Sequence, residues 1–387
     1  MGAANPQAKR RRPALAYALS SASSGNQPCR GQMRITELFR SFGAGGAEIA
    51  AANRLRYQPV GTHTSFVVSK GPGEVLDAAA AAHSAEFVTC GTTLREQLNA
   101  IAQTEPDVVV VNTPRQACQL LLGGGRHLRW PVVVAAHSET LSDRLSYSQA
   151  LSLPMRLANG RAELNVAVSE RVATGPWCRG AKRIRVCHLG SEVRQGASRE
   201  EISWPPGCSL RLLVLSRLTR PKNLSALIQA VQMDAEHFRA ATAHVRVVGD
   251  GPQKGHLMHE ASRLGVSDLV SFQGGSRSPG AWMSSADWLV IASVAEGGPL
   301  TVYEGLQAGL RVMATPVGVI PEVLAEDSES ILLREASVSA LRAGLQRILS
   351  RPSSITQSAR AARSAAATRW NTSVLAPEWF KAIESVR

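Results

Sequence analysis

No long apolar run occurs in this chain. Its buried-looking segments are strand-sized, such as Val108 to Val111, far short of the ~20 apolar residues that cross a bilayer. A membrane-spanning helix is therefore excluded. A disulfide framework is missing as well: the six cysteines (29, 90, 118, 178, 187 and 208) are scattered, with no C-x-x-C. That pattern suits free thiols in a reducing cytoplasm. Lysine is scarce among the 43 basic residues while Arg and Ala abound, which reads as genome bias before function. No acid precedes Met33, although Lys9, Arg10, Arg11, Arg12 and Arg30 do. They supply five of the +13 net charges, and the remaining +8 is spread over the rest of the chain. Beyond Met33 there is no basic run with interleaved aromatics, so nucleic acid is not an expected partner. An anionic membrane surface fits the charge at least as well, each basic residue near it contributing ~1 kcal/mol.

What is present describes an ordinary globular protein, 44% hydrophobic and 19% charged, with 387 residues to furnish two cores. Residues 1–32 are rich in Ser, Ala, Pro and Arg without periodicity and read as a disordered basic extension. They lack the apolar core and cleavage site of a targeting peptide and the Ser/Thr that Gly2 myristoylation needs. Translation from Met33 is the simplest explanation of the extension.

From Met33 the pattern is α/β. Strand candidates Ile35–Leu38, Thr64–Val68, Phe87–Thr89, Val108–Val111, Val132–Ala136, Leu164–Val168 and Ile184–Cys187 alternate with helical stretches. That alternation implies a parallel sheet covered on both faces, with ligands beyond the carboxyl ends of the strands. The first strand runs into a glycine-rich turn, 43–48, where Gly45 and Gly46 would admit a diphosphate or an acceptor close to backbone N–H groups. By itself such a turn is equally a tight strand–helix connection. His137 closes the strand Pro131–Ala136, and an isolated histidine there is as well explained by a satisfied loop residue.

A Pro/Gly-containing stretch, 189–208, separates this half from a second α/β pattern that starts at Leu210–Ser216. Arg217 and Lys222 follow at the strand end, before a helix from Asn223 to Val231. Two cations there converge on a point above the sheet, and phosphate is their natural partner. Val245–Val248 then leads into Gly249-Asp-Gly-Pro252, and Leu269–Gln273 into Gly274 and Gly275. His256 and His259 sit beside Glu260 without an evident third ligand, so they belong to an exposed helix face rather than a metal site.

The stretch that organises the chain is 286–304. A buried strand, Trp288–Ala292, ends at a turn carrying Glu296, Gly297, Gly298 and Pro299, and Pro299 suits the first position of a helix containing Leu300 and Glu304. A carboxylate above a helix N-terminus, with two glycines for close approach, suits a polyhydroxyl ligand, because one carboxylate can accept from two hydroxyls. Alone, Glu-x7-Glu is equally a strand–turn–helix unit with two solvated glutamates.

Taken with its surroundings, from about Met33 to about Trp370, this stretch resembles the E-x7-E signature of the retaining GT-B glycosyltransferases of the family 4 (group 1) type. The turn 43–48 resembles that family's GGAE loop, Val168-Ser169-Glu170 its VSE turn, 249–252 its GDGP turn and Gly318–Glu322 its GG.PE turn with Val319 replacing a glycine. His188-Leu189-Gly190 departs from the more usual Asn-Gly, and the turn after Glu296 lacks the aromatic that many members carry.

The resemblance implies an α/β GT-B fold of two Rossmann-like domains facing a cleft. Residues 33–190 would form the acceptor side, 191–208 a linker, 209–370 the nucleotide-sugar donor domain, and 371–387 a helix packing back on the first domain. It implies transfer of a sugar from a UDP- or GDP-sugar to a hydroxyl acceptor (a glycan, lipid-linked sugar or polysaccharide) with retention of configuration. Arg217 and Lys222 would hold the diphosphate, Glu304 the ribose, and Glu296 the sugar hydroxyls. Backbone at Gly249, Gly274, Gly297, Gly298, Pro299 and Leu300 would complete the donor site. His137 would reach toward the reaction centre, donating to a sugar hydroxyl or orienting the acceptor. No D-x-D occurs, so the cationic pair replaces a metal clamp and neither metal nor cofactor is expected. A cytoplasmic enzyme, peripheral at the inner face of the plasma membrane, follows. The competing readings are another GT-B enzyme such as a phosphorylase or epimerase, a non-catalytic sugar- or nucleotide-binding protein on the same fold, and a nucleic-acid binder favoured only by charge.

Overall fold

The computed structural model describes residues 33–42, 45–69, 85–140, 145–192, 202–276, 278–351 and 356–387. The basic extension, Gly43 of the glycine-rich turn and residues 193–201 of the expected linker lie outside them. Seven strands form one sheet: β1 (Met33–Phe39), β2 (Thr62–Val68), β3 (Glu86–Thr89), β4 (Val108–Val111), β5 (Val132–Ala136), β6 (Leu164–Ala167) and β7 (Ile184–Val186). Six form a second: β8 (Leu210–Leu215), β9 (Ala243–Val248), β10 (Val270–Gly274), β11 (Trp288–Ile291), β12 (Arg311–Ala314) and β13 (Ile331–Leu332). Both sheets are parallel, in orders β3-β2-β1-β4-β5-β6-β7 and β10-β9-β8-β11-β12-β13. Continuous apolar runs explain the centre of each sheet. All four valines of β4 and all of Trp288–Ile291 in β11 are buried, as strands covered on both faces require.

Strand order fixes where ligands can sit. In the first sheet the chain winds from β1 outward to β3, then returns to the other side of β1 at β4. In the second it winds from β8 to β10 and returns beside β8 at β11. The connections leaving β1 and β4, and those leaving β8 and β11, therefore diverge and leave a crevice at the carboxyl ends. The glycine-rich turn follows β1, Arg217 and Lys222 follow β8, and Glu296 follows β11.

Among the helices that cover the sheets are α1 (Gly46–Arg54), α2 (Leu145–Asn159), α3 (Leu224–Met233), α4 (Leu300–Gln307) and α5 (Thr372–Glu384). α5 is capped by Asn371, whose Oδ1 accepts from the Ser373 N–H at 2.8 Å, within the expected segment 371–387. It crosses to the first sheet and buries Trp379, Phe380, Ala382 and Ile383 against Met33, Ile35, Val108 and Val110. Strand β13 was not read from the sequence, since two residues carry no periodicity. Among the described residues no helix is long and apolar enough to cross a membrane.

Candidate active site

The second domain's part of the site is built on three stacked loops. Leaving β8, Ser216 packs so tightly under Gly249 that a side chain there would overlap the Ser216 carbonyl; Gly249 has φ +151°, a conformation that favours glycine. The Leu218 N–H donates to the Asp250 carbonyl at 2.8 Å, and the Gly249 N–H to the Gly274 carbonyl at 2.7 Å. Gly249 and Gly274 thus tie these loops together through backbone. A short 3-10 turn, Arg220–Lys222, presents Lys222 just before α3. The Val294 N–H donates to the Pro221 carbonyl at 2.8 Å and ties this turn to the segment leaving β11.

At the centre Lys222 Nζ donates to Glu296 Oε1, which also accepts from the Ser293 hydroxyl at 2.7 Å. Both charged side chains are largely shielded, 21% and 13% exposed. Beneath them a cavity of about 20 Å³ is lined by Ser216, Lys222, Ser293, Glu296 and Thr301. The Ser216 hydroxyl is buried there without a hydrogen-bond partner among the described residues. Arg217 is exposed at the end of β8, and its charge acts on Glu48 of α1 in the first domain. Pro299 is the N-cap of α4 rather than its first residue, with extended backbone (ψ 114°), so Leu300 opens the helix. Glu304 lies one turn further along and accepts from the buried Ser191 hydroxyl at 2.9 Å. The structure therefore gathers Lys222, Glu296 and Ser293 into one cluster and turns Glu304 toward the segment that joins the domains.

The first domain meets this cluster at Gly297. Ser138 and Gly297 form an antiparallel bridge, and the Glu139 N–H donates to the Glu296 carbonyl at 3.0 Å. A side chain at Gly297 would overlap the His137 carbonyl and lie 2.8 Å from the Ser138 nitrogen. The glycine is thus demanded by the protein's own backbone, a reason the sequence did not disclose. At Gly298 the nearest atoms to a Cβ would be side-chain ones, Leu189 at 3.2 Å and Val168 at 3.6 Å. His137 places Nε2 2.8 Å from Asn112 Oδ1. Burial, reinforced by the charge of Arg54, pushes its ring down to about 3, so the ring is neutral at physiological pH. Gly45 is the N-cap of α1, and Gly46 is exposed with open space where a side chain would stand. The Glu48 carboxylate folds back over Gly45; burial raises its pKa, opposed by its own backbone N–H and by Arg217. That end of α1 is therefore served by an internal carboxylate.

A second cross-domain tie lies behind the cleft. Glu322 accepts from the Glu170 N–H at 3.0 Å and lies 2.8 Å from His188 Nε2, joining the turns 168–170 and 318–322. Glu48, Asn112, Ser191, Ser216 and Ser293 were not singled out from the sequence. Asn112 and Ser191 act through partners distant in the chain, Ser293 through Glu296 three residues on, and the Ser216 hydroxyl has no partner among the described residues; only Glu48 lay within a recognised turn. His256 and His259 are exposed.

Residues 209–351 match the family described as glycosyl transferases group 1. Over 120 residues (31% of this chain, 20% of the relative) the sequence is 30% identical to the Vi polysaccharide biosynthesis protein VipC/TviE of Salmonella typhi. Over 173 residues (42% of this chain, 41% of the relative) it is 25% identical to the putative colanic acid biosynthesis glycosyltransferase WcaL of Salmonella typhimurium. The match thus spans less than half the length of either relative. At the level of fold, Anabaena HepE in complex with UDP-glucose superposes with a TM-score of 0.72 at 18% identity, covering 92% of this chain and 100% of that one. Sucrose-phosphate synthase from Thermosynechococcus elongatus superposes at 0.70 with 15% identity, covering 92% and 99%. The chain has the GT-B fold of two parallel-sheet α/β domains, and its residues 209–351 match the glycosyl transferases group 1 family.

Proposed function

We propose that this protein transfers a sugar from a nucleotide-diphosphate sugar to a hydroxyl acceptor, with retention of configuration and without a metal. The observation that carries this reading is the Lys222–Glu296–Ser293 cluster at the switch point of the second sheet, with Arg217 beside it. Arg217 and Lys222 supply the positive charge that a departing diphosphate needs, and the N–H groups opening α4 add to it. Glu296 would accept from sugar hydroxyls once Lys222 turns to phosphate, and Glu304 from the ribose. Retention is read as front-face attack, the leaving phosphate taking the acceptor proton. The donor is a UDP- or GDP-sugar, and the acceptor a glycan, a lipid-linked sugar or a polysaccharide.

Thermal shift with UDP-, GDP- and ADP-sugars, with and without EDTA, tests the donor site on wild type and on the Arg217→Ala, Lys222→Ala double variant. Stabilisation by one nucleotide series, unaffected by EDTA and lost in the variant, supports the reading and identifies the base. No shift with any nucleotide sugar overturns it. Donor binding without any transfer product by mass spectrometry favours a non-catalytic binding protein on this fold.

One exposed face supports a role for the basic balance. Arg156 near the end of α2 and Arg179, Lys182 and Arg185 at the β7 edge are exposed, near Leu153 and Leu157, which stay 63% and 55% exposed. Asn159 Nδ2 donates to the Arg179 carbonyl at 3.0 Å, so the two segments adjoin. This face is proposed to rest on an anionic bilayer. Co-sedimentation with vesicles containing phosphatidylglycerol, absent with phosphatidylcholine alone and weakened by Arg179→Glu/Lys182→Glu, is the expected result. Equal recovery with both vesicle types refutes it.

A further inference from the structure

Behind the cleft, a chain of buried polar side chains determines which face of the His137 ring can take a ligand. The argument rests on the glycosyl-transfer reading for the identity of that ligand. Glu37 on β1 and Arg54 at the end of α1 form an ion pair, with Arg54 Nη2 3.0 and 3.2 Å from the two carboxylate oxygens. Their side chains are 2% and 3% exposed, and the guanidinium lies 4.1 Å over the ring of Trp379 on α5. A carboxylate held by a guanidinium is ionised and can only accept. Asn112, just beyond β4, must therefore turn its amide nitrogen to Glu37, and it does so with Nδ2 donating to Oε2 at 3.2 Å. The amide oxygen is thereby directed at His137, 2.8 Å from Nε2. An amide oxygen also only accepts, so the proton of the neutral imidazole sits on Nε2. Nδ1 is then a lone pair, buried and without a partner among the described residues.

We propose that Asn112, oriented by the Glu37–Arg54 pair, is a positioning residue that locks His137 in the Nε2–H tautomer, so that Nδ1 accepts a hydrogen bond from a carbohydrate hydroxyl. The role expected from the sequence, a ring N–H donated to the sugar, is thereby inverted. The His137 carbonyl packs against Gly297, so the ring stands at the seam between the two domains, one residue from the Glu296 turn. A hydroxyl that donates a hydrogen bond to Nδ1 keeps its own lone pairs for backbone N–H donors. The opposite tautomer would present N–H to the same oxygen and reverse that arrangement. Trp379 extends the chain of contacts, since it closes the far side of Arg54 from a helix that returns from the second domain.

Two-bond ¹⁵N–¹H correlation spectra of protein carrying ¹⁵N-histidine read the tautomer directly, with His137 assigned by loss of its signals in His137→Gln. The expected wild-type spectrum has a protonated Nε2 and a bare Nδ1. Asn112→Leu, close in volume but unable to accept, is expected to give mixed tautomers. It should lower kcat on the order of tenfold, as one lost hydrogen bond allows, with the donor KM within about twofold. Added to His137→Gln it should cause no further loss. A loss that appears in donor hydrolysis without acceptor assigns the hydroxyl to the donor sugar; a loss confined to transfer assigns it to the acceptor. A bare Nε2 in wild type overturns the proposal, as does Asn112→Leu with unchanged tautomer and unchanged kcat. If Asn112→Leu fails to fold, the wild-type spectrum still decides the tautomer. A bare Nδ1 in a protein that transfers no sugar sinks the carbohydrate ligand with the function reading, while the tautomer assignment survives.

Discussion

Gly297→Ala is the perturbation to which this site should be most sensitive. The added methyl would overlap the His137 carbonyl oxygen and sit 2.8 Å from the Ser138 nitrogen, both backbone atoms that cannot rotate away. Relief requires a main-chain shift of roughly 1 Å. The atoms that must move also carry the Glu139 N–H to Glu296 carbonyl bond at 3.0 Å and the Val319 N–H to Gly297 carbonyl bond at 2.8 Å. Each such bond contributes about 1 kcal/mol net, and overpacking of this kind costs about 1–3 kcal/mol. A loss of about 2–4 kcal/mol in urea denaturation is expected. Because Glu296 is the preceding residue, a displacement of that size should also lower transfer by roughly 100-fold. Gly298→Ala is the control, since the nearest atoms to its methyl are side-chain ones, Leu189 at 3.2 Å, which can give way, and Val168 at an ordinary 3.6 Å. The reasoning fails if the two alanine variants are equally stable and equally active, or if Gly298→Ala is the worse of the pair.

Burial pushes the His137 ring down to about 3 and the His244 ring down to about 4, against ~6.5 in the unfolded chain. Between those values the unfolded chain binds more protons, so stability is complete above about pH 6.5 and falls as pH drops toward 4, by up to ~1.4 kcal/mol per pH unit per histidine. Urea midpoints measured across that window should show the slope and His244→Asn should reduce it; a flat wild-type profile contradicts the burial argument. Arg54→Met leaves Glu37 charged, buried and unpaired, with an expected cost of about 3–5 kcal/mol, and adding Glu37→Gln should recover most of it in the same assay. Glu296→Gln removes the carboxylate that holds Lys222 in the ligand-free protein. Free UDP should then bind tighter by about 1 kcal/mol, roughly fivefold by calorimetry, while transfer is lost. Weaker UDP binding would show that Glu296 does not compete for the lysine.

What could be read from the sequence follows from the range of the interactions involved. Strands such as Val108–Val111 and Trp288–Ile291 declare themselves because a run buried on both faces needs no partner to be recognised. Arg217, Lys222 and Glu296 were legible because strand–turn–helix patterning places each at a carboxyl end. β13 escaped because a two-residue strand exists only through its neighbour β12. Asn112 escaped for a similar reason: its significance comes from Glu37, 75 residues away, and from His137, 25 residues away. Gly297 was singled out for ligand access, and the structure adds a steric constraint of its own there. That constraint is a backbone carbonyl contributed by the other domain.

These long-range partners share a property that bears on how the site works. The groups assigned to the donor are engaged within the protein before any ligand arrives: Lys222 with Glu296, Glu304 with Ser191, and Arg217 under the field of Glu48. On the proposed reading, binding a diphosphate sugar would be an exchange of partners, in which phosphate would replace one carboxylate and sugar hydroxyls would take up the acceptor capacity that lysine leaves. The net gain is smaller than the Coulomb attraction between the cations and the diphosphate would suggest, because the internal pairing must first be given up. The same exchange carries selectivity. Inorganic phosphate or free nucleotide can satisfy Lys222 yet leaves Glu296 without its cation in a shielded place. A ligand offering both phosphate and hydroxyls satisfies each group that it separates, and a nucleotide sugar is such a ligand.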